Sequence, residues 1–123
     1  MNIIIDKYYN GYEGEPEIQF IEELDEKSKK TICIWDGYFD NIMNLFEPTD
    51  KGWEGIALYY HLDTGWYDES PWELTDIKGT LTQFQALDKE KLTFENSKYL
   101  LEELCDLLQD AIVQKRKIWI ARE

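Results

Sequence analysis

The chain has 123 residues, 43% of them hydrophobic, 15% aromatic and 32% charged, with a formal net charge of −13. That length suits one domain, residues 1–123, which can bury a core without disulfides or metal, and the composition excludes a disordered chain. The charge disfavours direct contact with nucleic-acid phosphates or an anionic membrane, and favours a basic partner or simple solubility.

Residues 2–6 read as a short strand, after which Gly11, Gly14 and Pro16 break the chain. The three consecutive isoleucines at 3–5 are too few for a signal-peptide apolar region. No run approaches the roughly 20 apolar residues of a membrane span, so a cytoplasmic protein is expected. The stretch EPEIQFIEEL has two readings. Pro16 and the glutamates suit a helix start, and a hairpin with the next strand accounts for the same residues. TICIWD, 31–36, is β-branched and aromatic, as strands are.

FDNIMNLF spaces Phe39, Ile42, Met43 and Phe46 as a helical stripe that Pro48 ends. WEGIALYYHL, 53–62, is expected to be a strand, followed by a DTG turn and a second strand or extended loop. Thr75 or Asp76 caps a helix through Ile77, Leu81 and Phe84, although Gly79 costs about 1 kcal/mol inside it. Asn96 or Ser97 is a good cap for the last helix. Its apolar face comprises Leu100, Leu101, Leu104, Cys105, Leu108, Ala111 and Ile112. KIWIARE closes the chain as a strand. The fold class is therefore α+β: an antiparallel β-sheet with helices packed on one side, and a long C-terminal helix followed by a short closing strand. There is no internal repeat, linker or low-complexity tract.

Chemistry is poorly marked. The single histidine, His61, reads as a structural residue, since no sequence motif around it tunes it for chemistry, and the three serines lie outside any nucleophile-elbow context. No cysteine–histidine spacing, HExxH or calcium-loop pattern suggests a metal, and no glycine-rich loop suggests a phosphate cofactor. Cys33 and Cys105, among apolar neighbours, read as reduced core thiols. No catalytic residue, metal or cofactor is assigned.

Charge and rings are unevenly distributed. Residues 31–77 hold ten carboxylates and one base, Lys51, with ten of the eighteen aromatics, whereas residues 78–123 hold eight acids and eight bases. Within this segment, DTGWYDESPWEL mixes Trp66, Tyr67 and Trp72 with Asp63, Asp68, Glu69 and Glu73. Trp and Tyr are the typical anchors of binding surfaces, and turn residues on either side keep such rings from deep burial. On the last helix, Glu102, Asp106 and Asp110 stand at i, i+4 and i+8, either a second binding ridge or a solvated face.

The aromatic strand expected before position 62, the GW turn, the SPWEL segment (70–74) opening a helix, and the closing helix–strand pair together resemble the small immunity proteins of bacterial polymorphic toxin systems. The similarity is to the contact-dependent growth inhibition type and covers roughly residues 52–123. It implies a protein without catalysis that binds and neutralises a cognate toxin domain, often a nuclease with a basic groove. The contact surface is then expected on Asp63, Trp66, Tyr67, Asp68, Glu69, Trp72 and Glu73, with Trp53 and Glu54 beside it. An acidic nucleic-acid mimic, a small carboxylate enzyme and a plain adaptor remain alternatives.

Overall fold

The structure, a computed structural model, is described for residues 2–48, 50, 52, 55–61 and 70–122, with Tyr59 described by its backbone alone. The elements run β1 (Ile3–Tyr8), β2 (Glu17–Glu23), β3 (Lys29–Trp35), α1 (Asp36–Met43), α2 (Gly55–His61), β4 (Trp72–Leu74), α3 (Ile77–Gln85) and α4 (Glu95–Gln114), then β5 (Ile118–Arg122), with a single 3-10 turn at Lys89–Lys91. The α+β class expected from the sequence is the one observed.

The open choice at 16–27 falls to the hairpin. Ile18, Phe20 and Glu22 are buried while the residues between them are half-buried, which is a period of two. β2 pairs with β3 antiparallel over its whole length, from Glu17 opposite Trp35 to Glu23 opposite Lys29. The turn closes through Asp25, whose side chain accepts a hydrogen bond from the Lys27 N–H at 2.8 Å.

Sheet order is β1-β3-β2-β5-β4. All pairings are antiparallel except β1 with β3, which run parallel and depart from the expected pattern. The loop after β1 explains this. Gly11 and Gly14, at φ +97° and +95°, let the chain turn before β2 is laid down one strand farther over. β3 then returns between the two.

The closing strand β5 inserts between β2 and β4, so the last residues of the described chain lie inside the sheet rather than at its edge. One sheet face carries Ile18, Phe20, Ile32, Ile34, Ile118 and Ile120 into a core shared with all four helices. Buried side chains of α4 (Leu100, Leu101, Leu104, Leu107, Leu108 and Ala111) supply its centre. Each such leucine contributes about 1.5–3 kcal/mol by burial.

Three local expectations are corrected. Residues 55–61 form helix α2, not a strand: Ile56 and Ala57 are buried and Tyr60 packs against the core, one helical face at i, i+1 and i+4. The Gln83 side chain accepts the Ile56 N–H at 3.2 Å and ties α2 to α3. SPWEL does not open a helix. Its residues 72–74 pair with β5, and α3 starts only after Asp76, whose Oδ1 accepts the Gly79 N–H at 2.9 Å. A β-carbon at Gly79 would sit 2.1 Å from the other Asp76 carboxylate oxygen, so this glycine makes room for the cap.

The third correction concerns α4, which starts one residue before Asn96, with Phe94 at its N-cap position and no side-chain cap. Ser97 is instead buried inside the first turn and donates to the Tyr38 carbonyl at 3.4 Å. α1 ends at Met43, short of Pro48, and Phe46 still reaches the core from beyond the helix. Cys33 is buried and Cys105 half-buried, and neither forms a disulfide. No helix among the described residues is long and apolar enough to cross a membrane.

Candidate functional site

Of the nine expected contact residues, Trp53, Glu54, Asp63, Trp66, Tyr67, Asp68 and Glu69 lie outside the described residues. Trp72 and Glu73 are described, and they do not share a patch. Neighbours on a strand point to opposite faces. Trp72, opposite Ile120, packs against the core, whereas Glu73, opposite Trp119, is on the face that no described helix covers. There the Trp119 indole N–H donates to Glu23 Oε1 at 3.0 Å, so one half-buried indole stands between two carboxylates. Sequence reasoning passed over Trp119 and Glu23 because strand pairing alone brings them to Glu73.

The other described rings of residues 31–77 pack largely against the core. Tyr38 and Phe39 are buried, and Trp35, Phe46, Tyr60 and Trp72 are half-buried against the core. Tyr60 donates a short hydrogen bond to Asp40, which also accepts from Asn44 Nδ2 at 2.9 Å. Burial, then the Asp40 carboxylate, holds the Tyr60 phenol far above its ordinary range. Burial likewise raises the Asp36 carboxyl. His61 Nε2 lies 3.2 Å from the Met43 carbonyl. Among the described residues no group of three or more His, Cys, Asp and Glu is arranged to hold a metal ion.

Ion pairs divide the molecule. Those between described residues are Lys7–Glu103 at 2.6 Å, Lys89–Glu102 at 2.9 Å, Lys98–Glu90 at 3.7 Å, and Arg116 with Glu22 at 3.3 Å and Asp110 at 3.2 Å. All of them involve α4 or the segments flanking it. Two members of the i, i+4, i+8 acid line, Glu102 and Asp110, are thus engaged by bases, and only Asp106 between them is not. By contrast Asp36, Asp40, Glu47, Asp50, Glu73 and Asp76 form no ion pair among the described residues.

Among the described residues Glu22 is the one fully buried carboxyl. Arg116 reaches its Oε2, and its Oε1 has no hydrogen-bond partner among them. Burial first, and the neighbouring Asp110 carboxyl second, raise it to about 7 against the pull of Arg116.

A cluster of rings forms where α1 and α4 begin. Trp35 stacks on Tyr12 at 4.1 Å between centroids and 6° between planes. Tyr38 meets both edge-on, and Phe94 lies 6.0 Å from Trp35 and 5.6 Å from Tyr38. The Tyr12 and Tyr38 hydroxyls share a hydrogen bond of 3.2 Å, and Asn96 Nδ2 donates to the latter at 3.1 Å. Trp35 and Phe94 are the N-cap residues of α1 and α4, and neither helix has a side-chain cap. Gly37 is required beneath the indole, since a β-carbon there would lie 2.3 Å from its Cη2.

Phe94 remains 43% exposed. Beside the cluster, Tyr9, Gly14, Glu15, Pro16 and Glu17 line an open cleft of about 350 Å³. Residues 8–26 contain seven carboxylates and no lysine or arginine. Tyr12 and Phe94 lie outside the ring-rich middle of the sequence, and no sequence signal marked them. No protein-family model matches the chain, and comparison with curated proteins and with solved structures finds no match.

Proposed function

We propose that the protein binds a cationic protein partner and neutralises it, as an immunity protein does with its cognate toxin domain, a nuclease with a basic groove being the best-suited target. The observation that carries this reading is that the described carboxylates of residues 31–77 form no ion pair with a described base, against a C-terminal region whose acids are largely matched by bases. Carboxylates that no neighbouring base neutralises keep their field for an incoming surface. Such a field raises association rates above the unsteered ~10⁵–10⁶ M⁻¹s⁻¹ and fades with salt. Of the features behind the resemblance to immunity proteins, the closing α4–β5 pair is retained, whereas residues 55–61 are helix and 72–74 strand. A nucleic-acid mimic is less well supported, because Lys89 and Arg116 interrupt the most regular line of carboxylates.

The test is stopped-flow association with a purified toxin domain, sought among the products of the genes neighbouring this one, over a range of salt. Association should be fast and fall steeply with ionic strength, and Asp68→Lys/Glu69→Lys should slow it. A rate indifferent to salt would remove electrostatic capture, and absence of any complex would remove the immunity reading.

A further inference from the structure

We infer that the ring cluster at the starts of α1 and α4, with the acidic cleft beside it, is the anchor for an arginine- or lysine-bearing segment of the cationic protein partner. This rests on the binding function proposed above and names a surface for it.

The placement of the rings is costly to the fold and therefore informative. Helix starts favour Ser, Thr, Asp or Asn, which satisfy the first free N–H groups. Here two helices forgo that and carry Trp35 and Phe94 instead. A local rule broken twice at one place marks a site selected for something besides stability.

The cluster is also preorganised. Stacking on Tyr12, the edge contacts of Tyr38 and the seat over Gly37 hold the Trp35 indole, so little side-chain freedom is left to lose on binding. Exposed Phe94 offers an apolar rim, and aromatic faces attract guanidinium and ammonium groups.

Charge identifies the occupant. Glu15 and Glu17 line the cleft, Glu17 is the direct cross-strand neighbour of Trp35, and Glu95 follows Phe94. None of them forms an ion pair among the described residues. An anionic or purely apolar ligand would meet these carboxylates unmatched, whereas a cationic side chain meets its counter-charge and the exposed Phe94 ring at the edge of the cluster.

The experiment titrates a capped tetra-arginine peptide into the full chain labelled with ¹⁵N, followed by NMR, with a tetra-glutamate peptide as control. The Trp35 indole N–H and the amides of Glu15, Glu17 and Phe94 should shift together with tetra-arginine only. Phe94→Ala should weaken binding about fivefold. Glu15→Gln/Glu17→Gln, on the surface, should do the same and keeps the test decisive if Phe94→Ala loosens α4. Binding centred on Glu73 and Trp119, or spread over the α4 carboxylates with both variants unaffected, would overturn this surface while leaving a cationic partner in place. No binding at all would overturn both.

Discussion

The central and C-terminal regions of this chain carry similar numbers of carboxylates and use them differently. In residues 78–123 eight acids meet eight bases, and Glu90, Glu102, Glu103 and Asp110 are engaged by Lys98, Lys89, Lys7 and Arg116 around a helix whose inner face is solid leucine. In residues 31–77 ten acids face one base, and the described ones form no ion pairs. One region spends its side chains on holding the fold. The other keeps charge that no described base compensates, although Asp40 and Asp76 accept hydrogen bonds within the fold. Surface ion pairs contribute only ~0–1 kcal/mol each, so the difference bears on partners far more than on folding.

This contrast can be broken or sharpened by mutation. The largest effect belongs to the α4 core. Leu104→Ala, at a fully buried position, should cost about 2–5 kcal/mol in urea denaturation. A loss under 1 kcal/mol would mean that α4 is not the structural half of the comparison.

Next comes the buried carboxyl of Glu22. Its folded value near 7 stands above the ordinary 4.5 of an unfolded glutamate, so the fold holds the proton more tightly. Stability from this group is therefore fully present below pH 4.5 and is lost as pH rises through 7, by roughly 3 kcal/mol in total. Glu22→Gln should flatten that slope, which chemical denaturation at a series of pH values would read directly. An unchanged slope would move the titration to another group.

A smaller effect attaches to the boundary between the regions. Asp76→Ala removes the α3 cap and should cost about 1 kcal/mol in the same assay. Gly79→Ala should also destabilise, against helix propensity, because its methyl would strike the Asp76 carboxylate. Smallest of all, Glu47→Gln and Glu73→Gln should change stability by less than about 0.5 kcal/mol. If either destabilised the protein strongly, the central acids would be structural after all.

Much of the architecture was readable from pattern. The α4 stripe is periodic over nearly four turns, and Leu100, Leu101, Leu104 and Leu108 are buried where periodicity put them, with Leu107 added to that face. β3 and β5 were evident from their β-branched and aromatic content. Misreadings occurred where composition and period conflicted. Residues 55–61 contain two tyrosines and an isoleucine, a strand-like set, yet Ile56, Ala57 and Tyr60 bury a helical face against the rest of the core. The candidate site was less legible still. Trp72 and Glu73 are adjacent in sequence and part company across the sheet, while Tyr12, Trp35 and Phe94 meet across more than 80 residues of chain.

Length, charge segregation, the long amphipathic helix and the α+β class follow from residue types and their spacing, because burial, helix periodicity and net charge act locally or simply add. The parallel β1–β3 pairing, the insertion of β5 between β2 and β4, and the assembly of rings at two uncapped helix starts do not. Each depends on which distant segments pair, and that choice is made by the packing of the whole chain rather than by the preferences of any one stretch.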